Sequence, residues 1–150
     1  MKTMQEEHRN DYKTARKFAG LTQQRWAEAI GCSVRSIRDY ETGVQIPPDD
    51  IVLSMCEISG HVAVAYWHMR NKSPLAAEVL PEVEQLPLPQ AVVQLLCAIN
   101  DFKDYHGDLL ALAADGKITT SEAAAWENIV ARLDAVIRAA IQVKVAEGGA

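Results

Sequence analysis

The 150-residue sequence has no apolar run that approaches the roughly 20 residues of a membrane span. Its first ten residues, MKTMQEEHRN, are polar and lack the apolar stretch of a secretion signal, so a cytoplasmic protein is expected. Cysteine is scarce. Cys32, Cys56 and Cys97 stand far apart with no CxxC pair, which predicts reduced thiols and neither a disulfide framework nor a cysteine-held metal. His61 and His68 have no ligand partners at metal-binding spacing and read as surface or packing histidines. There is no glycine-rich phosphate loop, no HExxH, and no grouping of Ser, His and Asp specific to nucleophilic chemistry. The expectation is a protein that is not an enzyme, with no cofactor and no evident small-molecule ligand.

Excess positive charge is also missing. The net charge of −5 and the pI of about 5.3 exclude a uniformly basic nucleic-acid binder. The charge is unevenly spread, however. From Asp11 to Gly43 six lysines and arginines stand against four acids, whereas Pro89 to Ala150 carries five bases against eight acids. A locally basic face on an acidic chain is able to bind DNA.

That basic segment contains the most ordered pattern in the chain, LTQQRWAEAIGCSVRSIRDYETG from Leu21 to Gly43. Thr22 and Ser33 are each placed to cap a short helix. Gly31 lies between those helices, where the first must stop in a left-handed backbone. Trp26 and Ile30 make one apolar face, Val34, Ile37 and Tyr40 make another, and Ala27 is small enough for the helices to cross closely. This is a helix-turn-helix pattern.

With Arg16, Gly20, Leu21, Thr22, Gln23, Ala27, Gly31, Ser33, Ile37, Tyr40, Glu41 and Gly43 in place, the stretch from about Tyr12 to Gly60 resembles the Cro/cI-type (xenobiotic-response-element) regulator family. Trp26 departs from the leucine usual in that family. The resemblance implies an all-α, five-helix, lambda-repressor-like DNA-binding domain. It also implies an ion pair between Arg16 and Glu41, and a recognition helix whose Val34, Arg35 and Asp39 face base edges in the major groove of double-stranded DNA, with Ser36 beside them. Gln23 is expected to hold a phosphate. Arg38, like Arg25, is either a phosphate contact or a solvated charge. The DNA-binding set is thus Gln23, Ser33, Val34, Arg35, Ser36, Arg38 and Asp39.

Around the motif, Asp11 is placed to cap a first helix to about Ala19, with Tyr12, Ala15 and Phe18 on one face. Pro48, Asp49 and Asp50 suit the first turn of a helix to about Ile58, and a further helix runs from about Val62 to Arg70. Residues 1–70 form the DNA-binding domain in this reading. Residues 71–88, with Pro74, Pro81 and Pro87, form a linker with one short helix near Leu75 to Val79. The run YWHMRNKSP…LP…LPQAV resembles small mobile-element regulators of gut clostridia and points to a bacterial or phage-derived origin.

Residues 89–150 read as an antiparallel two-helix hairpin. One long helix opens at Pro89 and carries Val92, Leu95, Ile99, Phe102, His106, Leu109 and Ala113 in heptad-like spacing. Gly116 breaks it. Thr120 or Ser121 then caps a second helix with Trp126, Ile129, Leu133, Val136, Ala140 and Val143 in the same spacing. Two helices enclose no core, and further apolar residues (Leu96, Leu110, Val130, Ile137 and Ile141) call for a covering surface. The chain therefore reads as a sequence-specific transcriptional regulator, a repressor that dimerises through its hairpin. Two alternatives are an antitoxin-like or anti-repressor-like interaction module that uses the hairpin to hold a protein, and a ligand-gated regulator with a pocket between hairpin and domain.

Overall fold

The computed structural model describes residues 4–146. Among them are helices and no strands, and the chain divides into two compact units between Leu80 and Pro81.

The first unit holds α1 (Met4–Phe18), α2 (Gln23–Ile30), α3 (Val34–Thr42), α4 (Asp49–Ser59), α5 (Ala63–Lys72) and α6 (Pro74–Val79). α1 starts well before Asp11, because the residues from Met4 onward include good helix formers and no glycine or proline. α6 falls in the segment expected as a linker. Ser73 caps it by accepting from the Ala76 N–H, and Pro74 occupies its first turn. The core of this unit takes Tyr12 and Ala15 from α1, Trp26 and Ala27 from α2, and Ile37 and Tyr40 from α3. Val52 and Met55 of α4 and Val64 of α5 close it. Phe18, expected on the buried face of α1, is instead half exposed and lays its ring against buried His61, with centroids 5.0 Å apart. Trp26 is fully buried as expected, but its indole N–H finds no acceptor among the described residues.

One polar chain crosses this core. The Tyr12 hydroxyl lies 2.8 Å from His68 Nδ1, and His68 Nε2 lies 3.0 Å from Asp49 Oδ1. A carboxylate only accepts, so Nε2–H donates to Asp49 and, on the neutral ring, Nδ1 accepts from Tyr12. Lys72 also donates to Asp49. The hydrogen bonds from Lys72 and then His68 hold the Asp49 carboxyl below its ordinary range. Burial, with the nearby Asp11 charge, pushes the Tyr12 phenol up to about 12.

The second unit holds α7 (Leu88–Lys103), α8 (His106–Asp115) and α9 (Ala123–Val145), and α7 packs against α9. The single helix expected from Pro89 to Ala113 is therefore two. The break falls at Asp104–Tyr105, where the Tyr105 N–H turns back to the Phe102 carbonyl at 3.1 Å. The sequence there, DYHGD, gathers poor helix formers with a glycine among them. Burial on α7 follows Ala91, Leu95, Ala98 and Phe102, while Val92, Ile99 and His106 are exposed. Small residues in the seam admit the partner helix closely and push the larger Val92 and Ile99 to its flank. On α9 Ile129, Ala139, Gln142 and Val145 are buried, and Leu133 is exposed. Neither Thr120 nor Ser121 caps α9. Glu122 reaches back instead and accepts from the Thr119 N–H at 2.9 Å. Of the residues expected to need cover, Leu96, Leu110 and Ile137 are exposed, whereas Val130 and Ile141 are already half-buried.

Candidate nucleic-acid interface

α2 and α3 form two capped helices around a glycine turn. Thr22 Oγ1 accepts from the Arg25 N–H, which satisfies one orphan donor of the first turn of α2. Gly31 ends that helix at φ +84°, in the left-handed region where a side chain is strained. Cys32 and Gly31 both donate to the Ala27 carbonyl, closing the turn. Ser33 then accepts from the Ser36 N–H at 3.0 Å to start α3. Gly43 ends α3, again left-handed. The Asp39 carbonyl takes the N–H groups of Val44 and Gln45, so the exposed loop after α3 is anchored to the helix itself.

On α3, Ile37, Tyr40 and Glu41 face inward. Val34, Arg35 and Arg38 face outward, and Ser36 and Asp39 sit half-buried between. The Arg35 side chain is 90 % exposed, with its Nε 3.9 Å from Asp39 Oδ2. A pair so long and so wet holds the guanidinium weakly and leaves it available for a stronger partner. The Ser33 and Ser36 hydroxyls are committed to each other at 2.9 Å. Arg25 projects into solvent with only a 3.4 Å contact to Glu28.

Beneath this face lies the Arg16–Glu41 pair. Arg16 Nε and Nη2 donate to the two oxygens of the Glu41 carboxylate, at 2.5 and 3.0 Å, in a bidentate fork. Arg16 Nη1 also donates to the Leu21 carbonyl at 2.9 Å, tying α1 to the segment that leads into α2. Gln23 joins the cluster: its Nε2 donates to Glu41 Oε2 at 2.9 Å. The sequence sets Gln23 apart as an expected phosphate contact and Glu41 as the expected partner of Arg16; the bond between them appears only in the fold. Eighteen positions separate the two residues, and no local periodicity links them.

Among the described residues no group of histidine, cysteine and acidic side chains is arranged to hold a metal ion, and no helix is long and apolar enough to cross a membrane. The buried histidines serve packing and hydrogen bonding. No curated protein and no solved structure matches the chain significantly. Residues 13–61, the segment that spans the Arg16–Glu41 cluster and the two capped helices, match the family model described as a helix-turn-helix domain, which points to a DNA-binding regulator.

Proposed function

We propose that this protein is a sequence-specific transcriptional repressor of the Cro/cI type, of bacterial or phage origin, that acts in the cytoplasm and binds DNA as a dimer. The observation that carries the reading is the outward face of α3, where Val34, Arg35 and Arg38 stand exposed on a helix fixed at both ends by caps. Such a helix docks its N-terminal half in the major groove. Arg35 is the reader of base identity, through guanine O6 and N7, and Asp39 accepts from a cytosine amino group or rejects the wrong base. Gln23, with the unpaired N–H groups of the first turn of α2, meets a backbone phosphate. Ser33 and Ser36 contribute by shaping the start of α3, since their hydroxyls are already paired.

Dimerisation belongs to the second unit. Leu96, Leu110 and Ile137 are 62 %, 61 % and 41 % exposed, and covering them with a second copy removes apolar surface from water.

Selection of bound sites from a random DNA pool tests the reading. The expected result is a palindromic consensus. Arg35→Ala should relax preference at one position per half-site, a loss of about 1–3 kcal/mol of discrimination. A chain that enriches no sequence overturns the proposal.

A further inference from the structure

Glu41 is an unusual residue to find behind a DNA-binding face. It is 7 % exposed, and a buried carboxylate must be paired. Arg16 alone, through its two-pronged fork, would satisfy that need. Yet Glu41 Oε2 takes a second donor, the amide of Gln23. Gln23 is the first residue of α2, next to the Thr22 cap. The cluster thus joins three helices: α1 supplies the cation, α3 the carboxylate, and α2 the amide.

We propose that Glu41 is a positioning residue for DNA-phosphate contact, acting through Gln23; this rests on the DNA-binding reading above. A glutamine amide at a helix start has several rotamers, and fixing one of them on binding costs conformational entropy. The bond to Glu41 fixes the rotamer before DNA arrives. One proton of Nε2 is spent on Glu41, and the other remains for a phosphate oxygen beside the first-turn N–H groups of α2. Arg16 is required in this arrangement for a second reason. An uncompensated carboxylate so near the phosphate would repel it, and the bidentate guanidinium cancels that charge locally. Glu41 therefore supplies orientation without net repulsion.

The test uses full-length protein and mixed-sequence duplex DNA at low salt, because a phosphate contact is blind to sequence. Gln23→Ala should weaken binding about tenfold, as expected for a lost hydrogen bond to a charged group. Glu41→Leu, which removes the acceptor, should weaken it by a similar factor in the wild-type background and not at all in the Gln23→Ala background. If Glu41 were merely structural, Glu41→Leu would remove a negative charge and leave an unneutralised Arg16, so a folded variant would bind DNA as tightly or more tightly. That outcome overturns the inference. A second measurement needs no variant of Glu41. In NMR spectra of free wild-type protein, the two Nε2 protons of Gln23, assigned by their loss in Gln23→Ala, should be well separated, and DNA should shift mainly one of them. Two Nε2 protons that both resonate and exchange as those of a freely solvated amide in the free protein also overturn the inference. Gln23→Ala that binds the mixed-sequence duplex as tightly as wild type overturns this inference alone, whereas wild-type protein that binds no duplex overturns the reading beneath it.

Discussion

At the scale of single residues the fold depends on charges placed where water is scarce. The Arg16 and Glu41 side chains are 13 % and 4 % exposed. Removing one partner leaves the other charged and desolvated, and that loss exceeds what the intact pair adds over an apolar substitute. Arg16→Ala is expected to destabilise the helix-turn-helix unit by about 3–5 kcal/mol in urea unfolding. Lysine at the same position should recover only part of this, because an ammonium lacks the planar fork that matches a carboxylate. A melting temperature for Arg16→Ala equal to wild type would refute the account. The pair was expected only through the family resemblance, in which Arg16 and Glu41 stand at the paired positions. The third member, Gln23, was not legible as a partner of Glu41, since that bond exists only once α2 and α3 have crossed.

At the scale of elements, α1, α4 and α5 are joined by the chain from Tyr12 through His68 to Asp49. The Tyr12 phenol has its pKa raised from 10.0 to about 12. A raised pKa means that the folded state keeps a proton which the unfolded state gives up. Stability from this group is therefore complete below pH 10 and is lost as pH climbs towards 12. Urea unfolding followed across that window should show a steady decline, and Tyr12→Phe, less stable at neutral pH through loss of the hydrogen bond to His68, should show a shallower one. Equal slopes for the two proteins would refute the linkage. Tyr40 and Tyr66 shift in the same direction, mainly through burial, so the difference between the two slopes, and not the wild-type slope itself, reports on Tyr12. Helix boundaries in this unit followed local chemistry closely at Thr22, Ser33, Gly31 and Gly43. They departed from it at α1, which begins at Met4, so that Asp11, the expected cap, lies inside the helix.

At the scale of the whole molecule the proposed function requires assembly. One helix-turn-helix unit reads few base pairs, and two copies on a palindrome require half-sites about 34–36 Å apart. The exposed Leu96 and Ile137 in the second unit give a direct test. Wild-type protein should sediment as a dimer at micromolar concentration. Changing Leu96 and Ile137 together to glutamate should yield a folded monomer, because burying two carboxylates in an apolar contact costs several kcal/mol. The same double variant should bind the palindromic site much more weakly while keeping its affinity for a single half-site. A wild-type chain that sediments as a monomer refutes the dimer outright.

The sequence by itself determined the all-α class, the two capped helices around Gly31, and the outward Arg35. Each of these follows from interactions within a few residues of one another: a side-chain oxygen and the N–H three positions on, or a glycine whose missing Cβ permits a left-handed turn. The tertiary structure decided what depends on distant partners. It drew Gln23 to Glu41 and His68 between Tyr12 and Asp49, and it turned Phe18 outward onto His61. It also set the seam of α7 on Ala91 and Ala98 instead of Val92 and Ile99. A hydrophobic stripe counts large side chains, whereas helix packing rewards close approach, and small residues in the seam allow it. That preference appears only when a second helix is there to approach.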